Sequence, residues 1–259
     1  MLSEKIQPFM QTLAKKTEPV IVSHFANPDL KIEFKADETP VTHADRVAEK
    51  VMRDHIRKHF PKHGIIGEEY GEENPDAEFV WVLDPIDGTK SFAAGCPLFG
   101  TLIALLHEGQ PIAGAINQPV LRQFCYGDGQ RSLLNGREVK MRYTPQLKDA
   151  ILLATDLRDV YRHQQGRPFE KLIESTALFR TWGDCYGYLL LAGGWADIML
   201  DPILNPWDYM ALMPIIRGAG GVITTWQGND PLGGQSIVAA SRYIHGRTIE
   251  ILNERQESM

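Results

Sequence analysis

Residues Phe79-Val80-Trp81-Val82-Leu83-Asp84-Pro85-Ile86-Asp87-Gly88-Thr89-Lys90-Ser91-Phe92 decide how this chain is read. The first five form a short, unbroken apolar run, the pattern of a strand buried on both faces. Two carboxylates three residues apart follow at its C-terminal end. Pro85 stiffens the turn, and Gly88 lets the backbone approach a ligand closely. If a helix starts at Gly88-Thr89, its unpaired N–H groups offer a phosphate site. Carboxylates aimed at a phosphate repel it unless a divalent cation lies between them, and hard oxygen donors favour Mg2+. Taken alone, the motif is equally a solvated acidic turn in which Asp87 caps a helix.

Upstream, Ile65-Ile66-Gly67-Glu68-Glu69-Tyr70 ends a strand in paired acids. Downstream, Asn205-Pro206-Trp207-Asp208-Tyr209 places an acid at a helix start, where it can also serve as a cap, and Gly218-Ala219-Gly220-Gly221 follows. Around these motifs the periodicity predicts an amphipathic helix over 2–25, bent near Pro19, and a second over 44–60. Thr42 and Asp45 have capping-box spacing at the start of the second helix, and Pro61 ends it. A hairpin is expected over 100–106 and 112–120, then a meander through 125–127 and the Asn135-Gly136 turn. The second half predicts a strand at 151–155, helices at 169–178 and 186–193, a strand at 196–200, a helix at 207–219 and a strand at 222–224. No linker or repeat divides the chain. The expectation is one α/β domain over 1–259 with sheets layered between helices. Its N-terminal α+β half (about 1–145) holds most candidate ligands, and its C-terminal α/β half (about 146–259) the rest.

The chain has 259 residues, 43% hydrophobic and 23% charged, with a formal charge of −6. That excludes disordered, collagen-like and coiled-coil classes. The acidic balance argues against direct nucleic-acid binding and against an anionic membrane surface. Cys96, Cys125 and Cys185 are widely spaced with no CxxC, as expected for reduced structural thiols. There is no apolar leader segment at the N-terminus and no run long enough to span a bilayer, so a cytoplasmic protein is expected.

Together, Gly67-Glu68-Glu69, Asp84-Pro85-Ile86-Asp87-Gly88-Thr89 and Trp207-Asp208 with the later Gly-Ala-Gly-Gly resemble the inositol monophosphatase superfamily of metal-dependent, lithium-sensitive phosphatases. The resemblance runs over about 35–240. It implies a layered αβαβα sandwich of the inositol monophosphatase/fructose-1,6-bisphosphatase type, a homodimer, and two or three Mg2+ ions per site. By the same resemblance Glu68, Asp84, Asp87, Asp208 and the Ile86 carbonyl are the metal ligands. Gly88 and Thr89 would donate backbone N–H bonds to the phosphate. Asp45 matches the acid that orients the threonine, here Thr89, although Ala44 stands where the family often has a threonine. The capping-box role of Asp45 therefore stays open beside the catalytic one. Thr89, Asp45 and Glu68 are the candidates for handling the proton of an attacking water. No Ser/His/Asp or cysteine nucleophile arrangement stands out, and His55, His59 and His63 read as a solvated helix face.

Substrate choice is expected in Arg180-Thr181-Trp182-Gly183-Asp184-Cys185-Tyr186 and at Asp201, seven residues before Asp208. With Phe99-Gly100-Thr101 and Asn205-Pro206-Trp207-Asp208-Tyr209, the Gly183-Asp184-Cys185-Tyr186 stretch resembles the histidinol-phosphate phosphatases of this superfamily. Two further acids beside an acidic metal site suit a leaving group that is itself cationic, such as L-histidinol. Gly183 and Arg180 share that substrate-side segment. Asp184 has a plainer alternative: bonding a backbone amide, or pairing with Arg180 or Arg158. The rival functions are hydrolysis of inositol monophosphate or a nucleotide 3′-phosphate, and a role as a protein or RNA-machinery partner. The expected partner is a small phosphorylated metabolite, with neither nucleic acid nor membrane.

Overall fold

The computed structural model describes residues 2–27, 32–34 and 40–254. Helix α1 (Leu2–His24) is followed by an antiparallel pair, β1 (Ile32–Phe34) and β2 (Pro40–Thr42), and by α2 (His43–His59). Lys35, where the resemblance begins, lies outside the described residues. The expected cap of α2 is present. The Thr42 hydroxyl accepts the Ala44 N–H at 3.2 Å, and Asp45 reaches back to the Thr42 N–H at 2.8 Å.

The first sheet is built from β3 (Gly64–Gly67), β4 (Gly71–Glu73), β5 (Phe79–Asp87), and, after the short α3 (Thr89–Ala93), five further strands. These are β6 (Gly100–His107), β7 (Gln110–Gln118), β8 (Gln123–Gly127), β9 (Ser132–Leu134) and β10 (Arg137–Val139). The strand order is β10-β9-β8-β7-β6-β5-β3-β4, antiparallel except where β3 meets β5. The β6–β7 hairpin turns at Glu108-Gly109, both at positive φ (50° and 76°), so the glycine permits a two-residue turn.

The second sheet alternates with helices: β11 (Ile151–Ala154), α4 (Leu157–His163), α5 (Gly166–Glu174), β12 (Leu178–Arg180), α6 (Asp184–Ala192) and β13 (Ile198–Asp201). Then come α7 (Pro206–Tyr209), α8 (Leu212–Gly218), β14 (Gly221–Thr224), β15 (Ile237–Ser241) and α9 (His245–Leu252). The order is β12-β11-β13-β15-β14, with β11 parallel to both of its neighbours. Two helices are shorter than the periodicity predicts. The one expected over 169–178 stops at Glu174, because Leu178 is taken into β12 opposite Ile151. The one expected over 207–219 breaks into α7 and α8, since Pro214 has no N–H for the Met210 carbonyl.

Packing makes five layers. Trp81 and Leu83 of β5 face Ile6, Met10, Met52 and Ile56 of α1 and α2. Their neighbours Val80 and Val82 face the opposite way, onto Tyr188, Leu189, Met213 and Ile216 of α6 and α8. That central helix layer packs on Leu153, Met199 and Ala239 of the second sheet. The far face of that sheet, Leu152, Ile198, Val238 and Ala240, is covered by Phe169, Leu172, Ile251 and Leu252 of α5 and α9. The αβαβα sandwich is thus present, and period-two alternation in β5 divides its side chains between two cores. One local expectation holds only in part. His59 is exposed on α2, but His55 is half-buried under the stacked Phe9, and His63, beyond the helix end, stacks on Phe60 and accepts the Trp81 indole N–H at 3.1 Å.

Candidate active site

β5 pairs regularly with β6 as far as Asp84 opposite Leu102; the register then shifts, and Asp87 meets Gly100. Pro85 cannot donate to the ladder at this irregularity, and its carbonyl accepts the Thr101 hydroxyl at 2.8 Å. The Ile86 N–H folds back to Asp84 Oδ1 at 3.0 Å. Gly88 then starts α3 at φ 87°, where a Cβ would lie 2.9 Å from Asp184 Oδ2 and 3.0 Å from the Leu98 carbonyl. Asp208 approaches from α7, where it closes a capping box on the Asn205 N–H at 2.7 Å. One oxygen from each of Asp84, Asp87 and Asp208 lies within 4.8 Å of the others. Glu68, Ile86, Gly88 and Thr89 line the same cavity, of about 360 Å3.

The electrostatics of this cluster call for a cation. Burial, then Glu68, Asp87 and Asp208, push Asp84 well above the ordinary carboxylate range. Asp87 is raised likewise by burial and by Asp184 and Asp208, against the Cys185 N–H that its carboxylate accepts. Burial lifts Asp208 to about 7. No ion pair reaches Asp84, Asp87 or Asp208 among the described residues, and the donors are all oxygen. Such a set fits a hard divalent ion. The capping roles of Asp208 and Asp45 coexist with this arrangement, because each leaves its second carboxylate oxygen outside the capping bond.

On the substrate side, Asp184 and Asp201 enter the same cavity. Burial raises Asp184 to about 7, with Asp201 adding to the shift, while its carboxylate accepts the Ser91 hydroxyl at 3.1 Å. Asp184 sits at φ 50°, with its N–H donated to Thr155 Oγ1 at 2.9 Å. Gly183 makes that approach possible: a Cβ there would lie 2.4 Å from both Thr155 Cα and Oγ1. Burial raises Asp201 to about 6, opposed by hydrogen bonding from Thr155 and from the Tyr188 hydroxyl at 2.9 Å.

Two candidates sit elsewhere than expected. Arg180 is exposed, does not line the cavity, and donates to the Phe179 carbonyl at 2.6 Å, because it leaves β12 toward solvent. Asp45 is buried but is not a lining residue. Its Oδ2 accepts both the N–H and the hydroxyl of Thr42, the latter at 2.5 Å. The Thr89 hydroxyl donates to the Ile86 carbonyl at 3.0 Å and makes no hydrogen bond to Asp45 among the described residues. Asp45 Oδ1 has no hydrogen-bond partner there either, and burial lifts the group to about 7. Sequence reasoning missed Thr155, Asp156, Asp159, Lys90 and Ser91, all of which line the cavity. A signal for Thr155 existed, since ligands gather at the carboxyl ends of parallel strands, and it follows β11 directly.

Comparison with known proteins gives a consistent picture. The family model described as "Inositol monophosphatase family" matches residues 2–257. The chain is 42% identical over 219 residues to the chloroplastic bifunctional phosphatase IMPL2 of Arabidopsis thaliana, covering 83% of this chain and 63% of that relative's length. It is 36% identical to a histidinol-phosphatase of Chlorobaculum parvum over 92% of each chain. Among solved structures, an inositol monophosphatase from Zymomonas mobilis superposes with a TM-score of 0.87 at 34% identity, covering 98% of this chain and 100% of that one.

Proposed function

The chain belongs to the inositol monophosphatase family of phosphatases, and from that membership we propose that it is a Mg2+-dependent phosphomonoesterase converting L-histidinol phosphate to L-histidinol and phosphate. The observation that carries the substrate is the acid lining of the cavity. Asp184 and Asp201, with Asp156 and Asp159 beside them, face the same space as Asp84, Asp87 and Asp208. Asp156 and Asp159 already pair with Arg158 and Arg162, whereas the carboxylates of Asp184 and Asp201 accept the hydroxyls of Ser91 and Tyr188. An ammonium or imidazolium gives Asp184 and Asp201 a charged partner that a neutral leaving group does not. The likeness to a histidinol-phosphatase over nearly the whole chain supports the same substrate.

In this reading Asp84, Asp87, Asp208, Glu68 and the Ile86 carbonyl hold the ions. Bound Mg2+ supplies Lewis acidity for activating a water and charge for the leaving oxygen. The α3 start, with the N–H groups of Gly88 and Thr89, orients the phosphate by hydrogen bonding to its oxygens. Glu68 and the Thr89 hydroxyl manage the proton of the attacking water, while Asp45 holds the N-terminus of α2. Asp184 and Asp201 fix the cationic end of the substrate, which places the ester oxygen relative to phosphorus. Lithium sensitivity, a homodimer and a cytoplasmic location belong to the same proposal.

Phosphate release from L-histidinol phosphate, inositol monophosphate and a nucleotide 3′-phosphate, measured side by side with Mg2+, tests it. The highest kcat/KM is expected for L-histidinol phosphate. A preference for inositol monophosphate would overturn the substrate and leave the general phosphatase.

A further inference from the structure

Asp45, Glu49, Arg53 and Arg57 recur every four residues along α2, so they share one face of that helix. The middle pair is buried, with Glu49 0% and Arg53 4% exposed. Arg53 Nε donates to Glu49 Oε1 at 2.7 Å. The pair's other contacts go to the turn that follows β3 and to β4, where Arg53 also lies 3.5 Å from the Glu73 carboxylate. Glu49 Oε2 accepts the Glu69 N–H at 2.7 Å, and Oε1 accepts the Tyr70 N–H at 3.2 Å. Arg53 donates to the Gly71 carbonyl, and its guanidinium lies 5.9 Å from the centre of the Tyr70 ring. Gly67 is what admits the pair so close to the chain. A Cβ there would fall 2.1 Å from Glu49 Oε1 and 2.9 Å from the Arg53 guanidinium.

The turn held in this way carries Glu68. Its own N–H is bonded to the Leu83 carbonyl of β5 at 3.2 Å, and the next N–H, that of Glu69, to Glu49. The backbone of Glu68 is therefore fixed on one side by the strand that bears Asp84 and on the other by α2. A buried ion pair is a poor way to gain stability, because desolvation offsets most of the attraction. It is an effective way to fix geometry, because carboxylate and guanidinium are both planar and directional.

We propose that the Glu49–Arg53 pair is a positioning device for Glu68, setting the affinity of the site for divalent cations without touching either the cation or the substrate. This rests on the metal-site reading above and is independent of which ester is cleaved. Partners that orient a metal ligand from outside the coordination shell typically change affinity by about 10- to 100-fold when altered.

The test is calorimetric titration of Mg2+ into substrate-free wild type, Glu49→Gln and Arg53→Lys, with thermal melts on each. Arg53→Lys keeps the charge but loses the fork that reaches both Glu49 and Gly71. Both variants are expected to bind Mg2+ about 10- to 100-fold more weakly, with kcat at saturating Mg2+ changed far less. Arg142→Lys is the control: it loosens a comparable pair, that with buried Asp197, remote from the cavity, and should lower stability alone. If Glu49→Gln fails to fold, Arg53→Lys decides. Folded variants that melt earlier yet bind Mg2+ as tightly as wild type would overturn the proposal, leaving the pair a purely structural clamp. A wild type that binds no Mg2+ would overturn the metal-site reading itself, and this inference with it.

Discussion

Asp184→Asn exchanges a carboxylate for a neutral group of the same shape, and the structure sets the sign of two opposing consequences. The amide oxygen still accepts from Ser91, so the 3.1 Å bond that holds the side chain persists. After burial, Asp184 is the foremost cause raising Asp87. Neutralising it therefore eases like-charge repulsion around the phosphate, to the benefit of every ester alike. What only a cationic substrate loses is the charge-assisted contact itself. Such a contact is worth roughly 1.5–3 kcal/mol, or about 10- to 150-fold in kcat/KM. The assay is kcat/KM for L-histidinol phosphate and for inositol monophosphate on wild type and variant. The ratio between the two esters should fall by about that factor, and the wild-type preference should narrow as rising pH strips protons from the imidazolium and ammonium. An equal effect on both esters would refute the reasoning and leave Asp184 as support for its loop.

Mg2+ should stabilise the protein more at about pH 8 than at about pH 6. The raised carboxylates, with Asp208 at about 7, hold protons in the metal-free fold that the unfolded chain releases near its ordinary range, so metal-free stability falls as pH rises through that window and bound Mg2+ reverses the loss; melts with and without Mg2+ check this, and a gain independent of pH would count against it. Thr89→Ala should lower kcat more than it raises KM, whereas Asp45→Asn should cost at most about 1–2 kcal/mol of stability with turnover little changed; a fall in kcat on Asp45→Asn equal to that on Thr89→Ala would instead restore a working Asp45–Thr89 pair.

The parts of the site that could be read from the sequence are those in which one short segment carries both the ligand and the reason for its position. Asp84 and Asp87 flank a proline that cannot join the ladder, and Thr42 with Asp45 encodes its own helix cap. Even there the apolar run 79–83 understates the strand, because β5 continues through the irregularity to Asp87 and the carboxylates sit on the strand itself. Asp208 could be associated with them only through the family pattern, since nothing within 205–209 distinguishes a ligand from a cap. Contacts set by packing left no local trace. Thr155 has no motif around it, and its place beside Asp184 and Asp201 depends on Gly183 having no side chain. Glu49 and Arg53 look like an ordinary i,i+4 surface pair until the turn after β3 is seen lying across them. Arg180 is close to the substrate side only in sequence, and a three-residue strand is enough to send it outward.

The most direct test of the central claim is phosphate release from L-histidinol phosphate by wild type and Asp87→Asn, each in EDTA and after Mg2+ is restored. Asp87 contributes an oxygen to the cluster shared with Asp84 and Asp208, so the amide should leave the fold intact while removing one ligand charge. Wild-type turnover should cease in chelator and return with Mg2+, and Asp87→Asn should stay orders of magnitude below the Mg2+-restored wild type even after Mg2+ is added back. Undiminished wild-type turnover in EDTA would contradict the account.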